Sequence, residues 1–477
     1  MPVDTPRSDY TDASKLWEQM RDCYSGRAAV IKAGEKYTPK LPAASPTAQK
    51  NYLNRGNFYN ALRRTVTGLV GGIYQKAPRF DVPARARPWL DDITLTHIPM
   101  GAFALEATSE VLLMARFGVL VEMASATPYG DTRPYLVSFA AENIINWRTS
   151  NLGGDDVLTL VVLRETPTVL DDKDPFQVKP IEQYRVLSLD EDLRYTQQLW
   201  RRPDQSGDFA PYGEAVIPLR RGEPLTFIPF TFLAPSYSTP EIKDPPLLDL
   251  ANISLAQWRN SVDHEAGLHL LALPTPWVSG MKGGGDDSIL QIGPSTVWML
   301  DKDGAAGMLE FTGAGMKALE TALEQKQTQM ATLGAKLLEE QPTLAAETAT
   351  AVLARHAGEH ATLRTVAEAM QQSLRQILQT MAWWDGLESR PTDVPVEVAL
   401  NTDFLQVKAQ PQEVQTALMT LQAGEISYAT FWNLLTEGGW ARNNITAEEE
   451  RREISREPEQ LPPPTEEVIK VEREDEE

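Results

Sequence analysis

The pattern of apolar residues predicts an α+β fold for this chain of 477 residues. Short runs rich in β-branched and aromatic residues follow one another from about residue 118 to 234, and they predict a mostly antiparallel or mixed sheet. Longer segments between residues 246 and 384 have apolar residues three and four positions apart, which predicts helices. Because one hydrophobic core seldom extends over so long a chain, we expect two to four structural units.

Helical segments flank the predicted strands on both sides. They are predicted at 13–24, 57–74 and 102–118 before the sheet, and at 246–271, 315–341 and 348–384 after it. Pro245 and Pro246 mark the start of the first helix after the sheet, since proline is tolerated in the first turn of a helix. In the next one the apolar residues follow a heptad frame with Lys326 at its one polar position. This heptad seam needs a partner helix to cover it.

Residues 272–311 form a compact insert between two of the long helices. Its Gly and Pro turns surround two strand-like pieces, 288–292 and 296–300. The glycine-rich stretch GMKGGGDD at 280–287 lacks the Lys–Ser/Thr pair of a phosphate-binding loop, and no G-K-[ST] occurs anywhere in the sequence. We therefore interpret that stretch as a flexible loop tip.

The C-terminal part of the sequence becomes progressively more polar. After a strand-like stretch at 394–400, two helices are predicted near 411–422 and 427–436. Residues 447–477 contain 13 acidic and 5 basic residues together with three consecutive prolines. Such a composition cannot bury enough apolar surface to fold, so it predicts an acidic disordered tail.

The charge and composition restrict the classes of function. The net charge is −21 at pH 7, whereas proteins that hold nucleic acid through its phosphates are normally basic, so tight sequence-specific DNA binding is not expected. An acidic surface still suits contact with DNA that must slide freely. Cys23 is the only cysteine, which excludes an intrachain disulfide and is typical of a reducing compartment. No secretory signal or membrane-length apolar run is visible, so we expect no membrane partner.

HAGEH, residues 356–360, matches the inverted zinc-peptidase pattern H-x-x-E-H. His356 and His360 lie one helical turn apart, and Glu359 is the candidate general base. A catalytic zinc also needs a third protein ligand and an open cleft, whereas the surrounding sequence predicts one long helix. We therefore favour a polar helix face that contacts protein or a channel, expect no catalytic residue, metal or cofactor, and keep a zinc-dependent hydrolase as the alternative.

The order of the elements resembles the portal (head–tail connector) proteins of tailed bacteriophages: an α/β body, a long helix, a small β insert, a second long helix, a short break and a third long helix. The similarity spans most of residues 50–385, and no single motif is diagnostic. It is carried by NYLNRGNFYNALRRTVTGLVGGIYQKAPRF (51–80), RPYLVSFAAENIINWR (133–148), PPLLDLANISLAQWRNSVDHE (245–265) and GMLEFTGAGMKALETALEQKQTQMATLGAKLLE (307–339). These segments look like a branch of the family known mainly as a domain of unknown function.

This resemblance implies a structural machine rather than an enzyme. Family members form a ring, typically of twelve subunits, at one capsid vertex, and a separate terminase ATPase pumps double-stranded DNA through the central channel. The channel serves packaging and ejection, and the ring docks the terminase large subunit and later the head–tail adaptor. The resemblance also implies contact with the major capsid and scaffolding proteins, a place in the virion, and assembly in the host cytoplasm. A different virion protein with a helical trunk is a third interpretation.

The parts of the portal family can be placed on this sequence only through the resemblance. They are an N-terminal arm (1–24), an α/β wing (25–245), stem helices (246–271 and 315–340), a small α/β clip (272–314), a tunnel loop (341–347), a long helix returning to the wing (348–409), a helical crown (410–446) and an acidic disordered tail (447–477).

The resemblance also implies candidate site residues. The tunnel loop that would line the channel consists of Gln341, Pro342, Thr343, Leu344, Ala345, Ala346 and Glu347. The clip residues expected to contact terminase and adaptor are Trp277, Met281, Lys282, Asp286, Asp287 and Trp298. Lys317, Lys326 and Lys336 are candidate DNA-facing residues of the stem. Steps of nine and ten residues rotate by about 180° and 280° on a helix, so the three cannot share one face, and plain solvated lysines are an equal alternative.

Overall fold

The computed structural model of the chain has the α+β fold that the sequence predicts. It describes residues 2–124, 132–171, 174–203, 207–272, 275–281, 300–309, 313–334, 349–402, 404, 411–437, 440–441, 445 and 447–455. The chain forms two compact units, Met1–Thr402 and Asp403–Glu477.

The larger unit contains all six helices predicted before and after the sheet. Its helices are α1 (Ser8–Ser25), α2 (Arg27–Ala33), α3 (Pro46–Arg55), α4 (Ala61–Ile73), α5 (Met100–Met114), α6 (Leu248–Ala272), α7 (Ala314–Gly334) and α8 (Ala349–Trp384). Helices α2 and α3 were not predicted. For α3 a start signal does exist, because Ser45 accepts a hydrogen bond from Ala48 N and Pro46 occupies the first turn.

The strands of the larger unit pair antiparallel throughout the described residues. They are β1 (Arg79–Asp81), β2 (Phe117–Met123), β3 (Pro134–Ala140), β4 (Ile144–Leu152), β5 (Asp155–Glu165), β6 (Thr168–Leu170), β7 (Val178–Pro180), β8 (Gln183–Leu189), β9 (Tyr195–Arg201), β10 (Ala210–Val216), β11 (Leu219–Arg220), β12 (Glu223–Pro224), β13 (Phe230–Leu233), β14 (Thr275–Met281), β15 (Leu300–Leu309) and β16 (Glu397–Ala399). One sheet has the order β10-β9-β8-β5-β4 and another the order β13-β2-β3, and the other strands form two-stranded pairs.

Residues 1–24 do not form an arm separate from the body, which corrects the prediction. Trp17, Met20 and Cys23 of α1 are fully buried, and Trp17 Nε1 donates a hydrogen bond to Met114 O over 3.0 Å. These side chains lie three positions apart, so they form one apolar stripe on the helix, which packs against α4, α5 and α6. Helix α1 is therefore part of the main core.

The helix predicted at 102–118 ends earlier, at Met114, because Ala115 adopts a left-handed conformation with φ 58°. Arg116 follows in a fully buried position. Its guanidinium lies 4.0 Å from the Trp147 ring centre and 4.4 Å from that of Phe232. Burial lowers the pKa of Arg116 to about 9. This junction turns the chain from α5 into the central strand β2.

The insert between α6 and α7 contains a β-ribbon that the sequence did not predict. The strand-like pieces 288–292 and 296–300 lie outside the described residues, except for Leu300, which begins β15. The described part is an antiparallel ribbon in which Trp277 pairs with Gly307 and Ser279 with Ala305. Glycine and alanine have low strand propensity, so the central part of β15 gave little signal in the sequence.

The smaller unit is helical, with α9 (Pro411–Gln422), α10 (Tyr428–Glu437) and α11 (Ala447–Ile454). Phe431 and Trp432 of α10 are buried. Helix α11 corrects the expectation of disorder for the first residues of 447–477. It has three glutamates in its first turn and two arginines in its last, an arrangement that matches the helix dipole.

Candidate functional site: the α6–α7 hairpin and its β-ribbon

The first half of α6 is rooted in the core of the larger unit. Trp258 is fully buried and donates a hydrogen bond from Nε1 to Thr38 Oγ1 over 2.8 Å. A side chain at Gly56 would place its Cβ 2.8 Å from the Trp258 ring, so only glycine lets the chain after α3 approach this closely. Leu250, Ala251, Ser254 and Val262 of α6 are also buried. The base of the hairpin is therefore firmly held.

The second half of α6 leaves the core and pairs with α7. None of the described side chains from Asp263 to Ala272 is buried, and Leu268 is 40% exposed. Three contacts set the antiparallel register of the two helices. Ser254 Oγ lies 3.6 Å from Met330 Sδ, His264 Nε2 lies 3.6 Å from Glu320 Oε1, and Gly267 faces Met316. The two helices thus project together from the body.

Helix α7 returns to the core only at its C-terminal end. Met330 and Gly334 are buried there, and a Cβ at Gly334 would overlap Thr65 Oγ1 of α4. The other residues of the heptad seam are covered less completely. Leu319 and Leu323 are half-buried and Leu333 is 40% exposed. One α6–α7 pair therefore leaves part of the predicted seam open.

The β14–β15 ribbon continues from the outer ends of α6 and α7. Trp277 lies across the facing Gly307, whose missing side chain makes room for the indole. Trp277 is 47% exposed and Met308 54% exposed. A two-stranded ribbon has little stability of its own, and large exposed apolar side chains are typical of contact surfaces.

The structure places only some of the candidate clip and stem residues. Trp277 has the exposure expected of a contact residue, and Met281 ends β14 opposite Leu300. Lys317 is exposed and Lys326 half-buried on α7. The remaining candidates, Lys282, Asp286, Asp287, Trp298 and Lys336, lie outside the described residues. The roles assigned to all of them stay predictions.

The tunnel loop residues Gln341, Pro342, Thr343, Leu344, Ala345, Ala346 and Glu347 also lie outside the described residues. The HAGEH stretch at 356–360 is on α8, but the side chains of residues 349–362 are not described. The zinc hypothesis therefore stays untested. Among the described side chains, no group of three or more His, Cys, Asp or Glu could hold a metal ion. Within the described ranges, no helix has the length and apolar character of a membrane-spanning segment.

Arginine side chains at the C-terminal end of α8 were missed by sequence reasoning. Arg220 donates from Nε to Trp383 O over 2.7 Å, and from Nη2 to Leu387 O over 3.1 Å and Glu388 O over 2.6 Å. Its guanidinium lies 4.3 Å from the Trp383 ring centre, and Arg221 donates to Gly386 O. The carbonyls at a helix end lack intrahelical donors, and these arginines supply donors to carbonyls at and just after the end of α8.

The α6–α8 region is similar to one described family of proteins. Residues 246–385 match the family described as a domain of unknown function, DUF4055. This stretch is less than a third of the chain and runs from just before α6 to just after α8. No curated protein matches the chain.

Among solved structures, the chain is similar to proteins of a gene transfer agent (GTA) particle. It is 14% identical to a chain in the neck of the native particle computed with C12 symmetry, covering 85% of this chain and 97% of that one. It is 13% identical to a chain in the virion of the native particle, covering 86% and 98%. It is also 13% identical to a chain in the neck of the empty particle computed with C6 symmetry, covering 88% and 100%. All three comparisons have a TM-score of 0.38, which is too low to carry an argument about fold or function.

Proposed function

We propose that this protein is a structural, non-enzymatic subunit of a ring at the head–tail junction of a tailed-phage-like particle. The observation that carries the proposal is the α6–α7 hairpin. It is rooted in the core by Trp258 and Gly334, pairs two helices outside the core, and continues into the β14–β15 ribbon. This helix–ribbon–helix order is the stem and clip arrangement that the sequence resembles.

The open part of the α7 seam supports a repeated assembly. Leu333 is 40% exposed, and Leu319 and Leu323 are covered only in part by α6. Apolar seams on helices are stable when a further helix covers them. In a ring, the α6–α7 hairpin of each neighbouring subunit supplies that helix, and the hairpins together surround a channel.

The negative net charge of the chain is consistent with a channel for DNA. A net charge of −21 weakens adhesion of the phosphate backbone, as suits DNA that passes during packaging and ejection. In this proposal the ribbon, including Trp277, docks terminase and then the adaptor. Residues 341–347 narrow the channel, and assembly takes place in the host cytoplasm before incorporation into the virion.

Electron microscopy of the purified full-length protein tests the proposal. Negatively stained particles should be rings with a central hole, and class averages should give the subunit number. A matched variant, Leu333→Glu, places a charge on the exposed seam position and should lower the yield of rings while leaving the circular dichroism spectrum unchanged. Particles that remain single chains at high protein concentration in several salt conditions would refute a ring-forming role.

A further inference from the structure

The β6–β7 hairpin ends in a cluster of exposed apolar side chains, here called the knob (Leu170, Phe176 and Val178). Leu170 and Val178 face each other across the two strands. They are 68% and 59% exposed, and Phe176 is 96% exposed. Large apolar side chains clustered at such exposure are typical of a contact surface.

Local contacts hold the knob in this shape. Asp174 Oδ1 accepts a hydrogen bond from Phe176 N over 3.0 Å, and Asp174 O accepts one from Gln177 N over 3.0 Å. At the base of the turn, Lys179 Nζ lies 2.9 Å from Asp171 Oδ1. Because these hydrogen bonds hold residues 174–177, Phe176 is presented in a preformed position, and binding costs little ordering of this segment.

A second exposed apolar surface, here called the platform (Arg201, Tyr212 and Val216), lies at the edge of the five-stranded sheet. Tyr212 and Val216 of β10 are 52% and 59% exposed, and within the described parts of the chain β10 pairs only with β9. The Arg201 guanidinium lies 4.1 Å from the Tyr212 ring centre. Among the described residues Arg201 forms no ion pair, although its Nε donates to Gln183.

The two surfaces match in charge and in their apolar side chains. The knob presents an aromatic ring beside the Asp174 carboxylate, which forms no ion pair within the described parts of the chain. The platform presents an aromatic ring and an aliphatic side chain beside a guanidinium. Because the chain has a net charge of −21, a guanidinium without an ion-pair partner is a favourable place for a carboxylate of another copy.

We propose that the knob of one copy docks on the platform of the next copy, with Phe176 against Tyr212 and Val216, and Asp174 paired with Arg201. Phe176 is 96% exposed, so the knob is not seated on the platform of its own chain. The charge match between Asp174 and Arg201 favours a second copy as the occupant. Each subunit then gives its knob to one neighbour and its platform to the other, which is the head-to-tail contact that closes rings. This inference rests on the ring proposed above and names one of its subunit contacts.

Disulfide cross-linking of the full-length chain tests this contact. The protein suits the test because Cys23, its only cysteine, is fully buried. Phe176→Cys combined with Tyr212→Cys should give, on oxidation, a ladder of covalent oligomers larger than two chains on a denaturing gel. The two single variants are the controls and should give no ladder, and a mixture of the two should give only the pair of unlike chains.

The outcomes separate this inference from the proposed function. Rings in the micrographs without cross-links overturn the knob–platform contact and leave the ring intact. Cross-linked ladders without rings support the contact and refute the proposed function. A ladder that stops at two chains shows a reciprocal pair and overturns the head-to-tail arrangement.

A double-mutant cycle tests the ion pair within the contact, with the variant that carries both engineered cysteines as the reference. Asp174→Asn keeps the acceptor oxygen that orders the turn and removes only the charge, and Arg201→Gln removes the opposite charge. Each substitution should lower the cross-linking yield by about two- to fivefold. The double variant should lose no more than either single one, since both remove the same interaction. Losses that multiply in the double variant would show that Asp174 and Arg201 do not meet.

Discussion

Gly334 sets how closely α7 approaches the core, and Gly334→Ala tests that role. The residue is buried at the C-terminal end of α7, where a Cβ would overlap Thr65 Oγ1 and lie 3.2 Å from Leu250 Cδ2. Thr65 and Leu250 are themselves buried, so neither can move into solvent to make room. We expect the substitution to loosen the root of the α6–α7 hairpin.

The expected magnitude follows from two opposing effects. Alanine is favoured over glycine by about 1 kcal/mol inside a helix, and by less in a last turn. Forcing an extra methyl group into a packed core costs about 1–3 kcal/mol. The overlap with Thr65 decides the sign, so Gly334→Ala should lower the free energy of unfolding by about 1–2 kcal/mol.

A matched control separates packing from helix propensity. Gly71 lies near the C-terminal end of α4, and a Cβ added there would meet no neighbouring atom within 4 Å. Gly71→Ala should therefore be neutral or slightly stabilising. Urea unfolding followed by circular dichroism gives both values, and Thr65→Ala should rescue Gly334→Ala in the double variant. Equal stability changes at the two glycines would refute the close-packing argument.

Three further outcomes are expected. Arg220→Ala removes three hydrogen bonds to carbonyls at and just after the end of α8, so amide hydrogen exchange in residues 383–388 should become at least about tenfold faster. The exposed control Arg364→Ala should leave exchange in that segment unchanged. Equal exchange rates in the two variants would contradict the capping role of Arg220. Burial raises the pKa of the Cys23 thiol to about 12, so a thiol reagent at pH 8 should react at least about a hundredfold more slowly with the native protein than with the protein in urea, and fast native labelling would show that the site opens. His356→Ala with His360→Ala should leave the zinc content by atomic absorption unchanged, and a fall from one zinc per chain to none would establish the metal site.

The helical part of the fold could be predicted because its signal is local. The apolar residues of α4, α6, α7 and α8 recur three and four positions apart. Helix α4 and the described part of α8 bury the face that this spacing defines, whereas α6 and α7 bury only part of it. The strand region was also recognisable from its composition. The β14–β15 ribbon could not be recognised in the same way, because the residues at 304–307 of β15 are glycines and alanines, which have weak strand propensity. Pairing with β14 orders them.

The candidate site was predictable in outline and not in its contacts. The order of α6, an insert, α7 and α8 follows from periodicity and from Gly and Pro turns. The contacts that hold this arrangement join residues far apart in the chain. Two examples are the hydrogen bonds of Trp258 with Thr38 and of Arg220 with Trp383, whose partners are 220 and 163 positions apart. A local sequence pattern cannot predict such pairs.

The sequence by itself determined the class of fold, the order of the long helices, the single cysteine and the acidic balance, because these follow from local periodicity and composition. Only the tertiary structure decided that α1 belongs to the core, that the missing side chain of Gly334 lets α7 pack against α4, and that Phe176 and Tyr212 are exposed. The physical reason is that burial depends on which distant side chains meet. The same apolar residue becomes core or contact surface according to whether another part of the chain covers it.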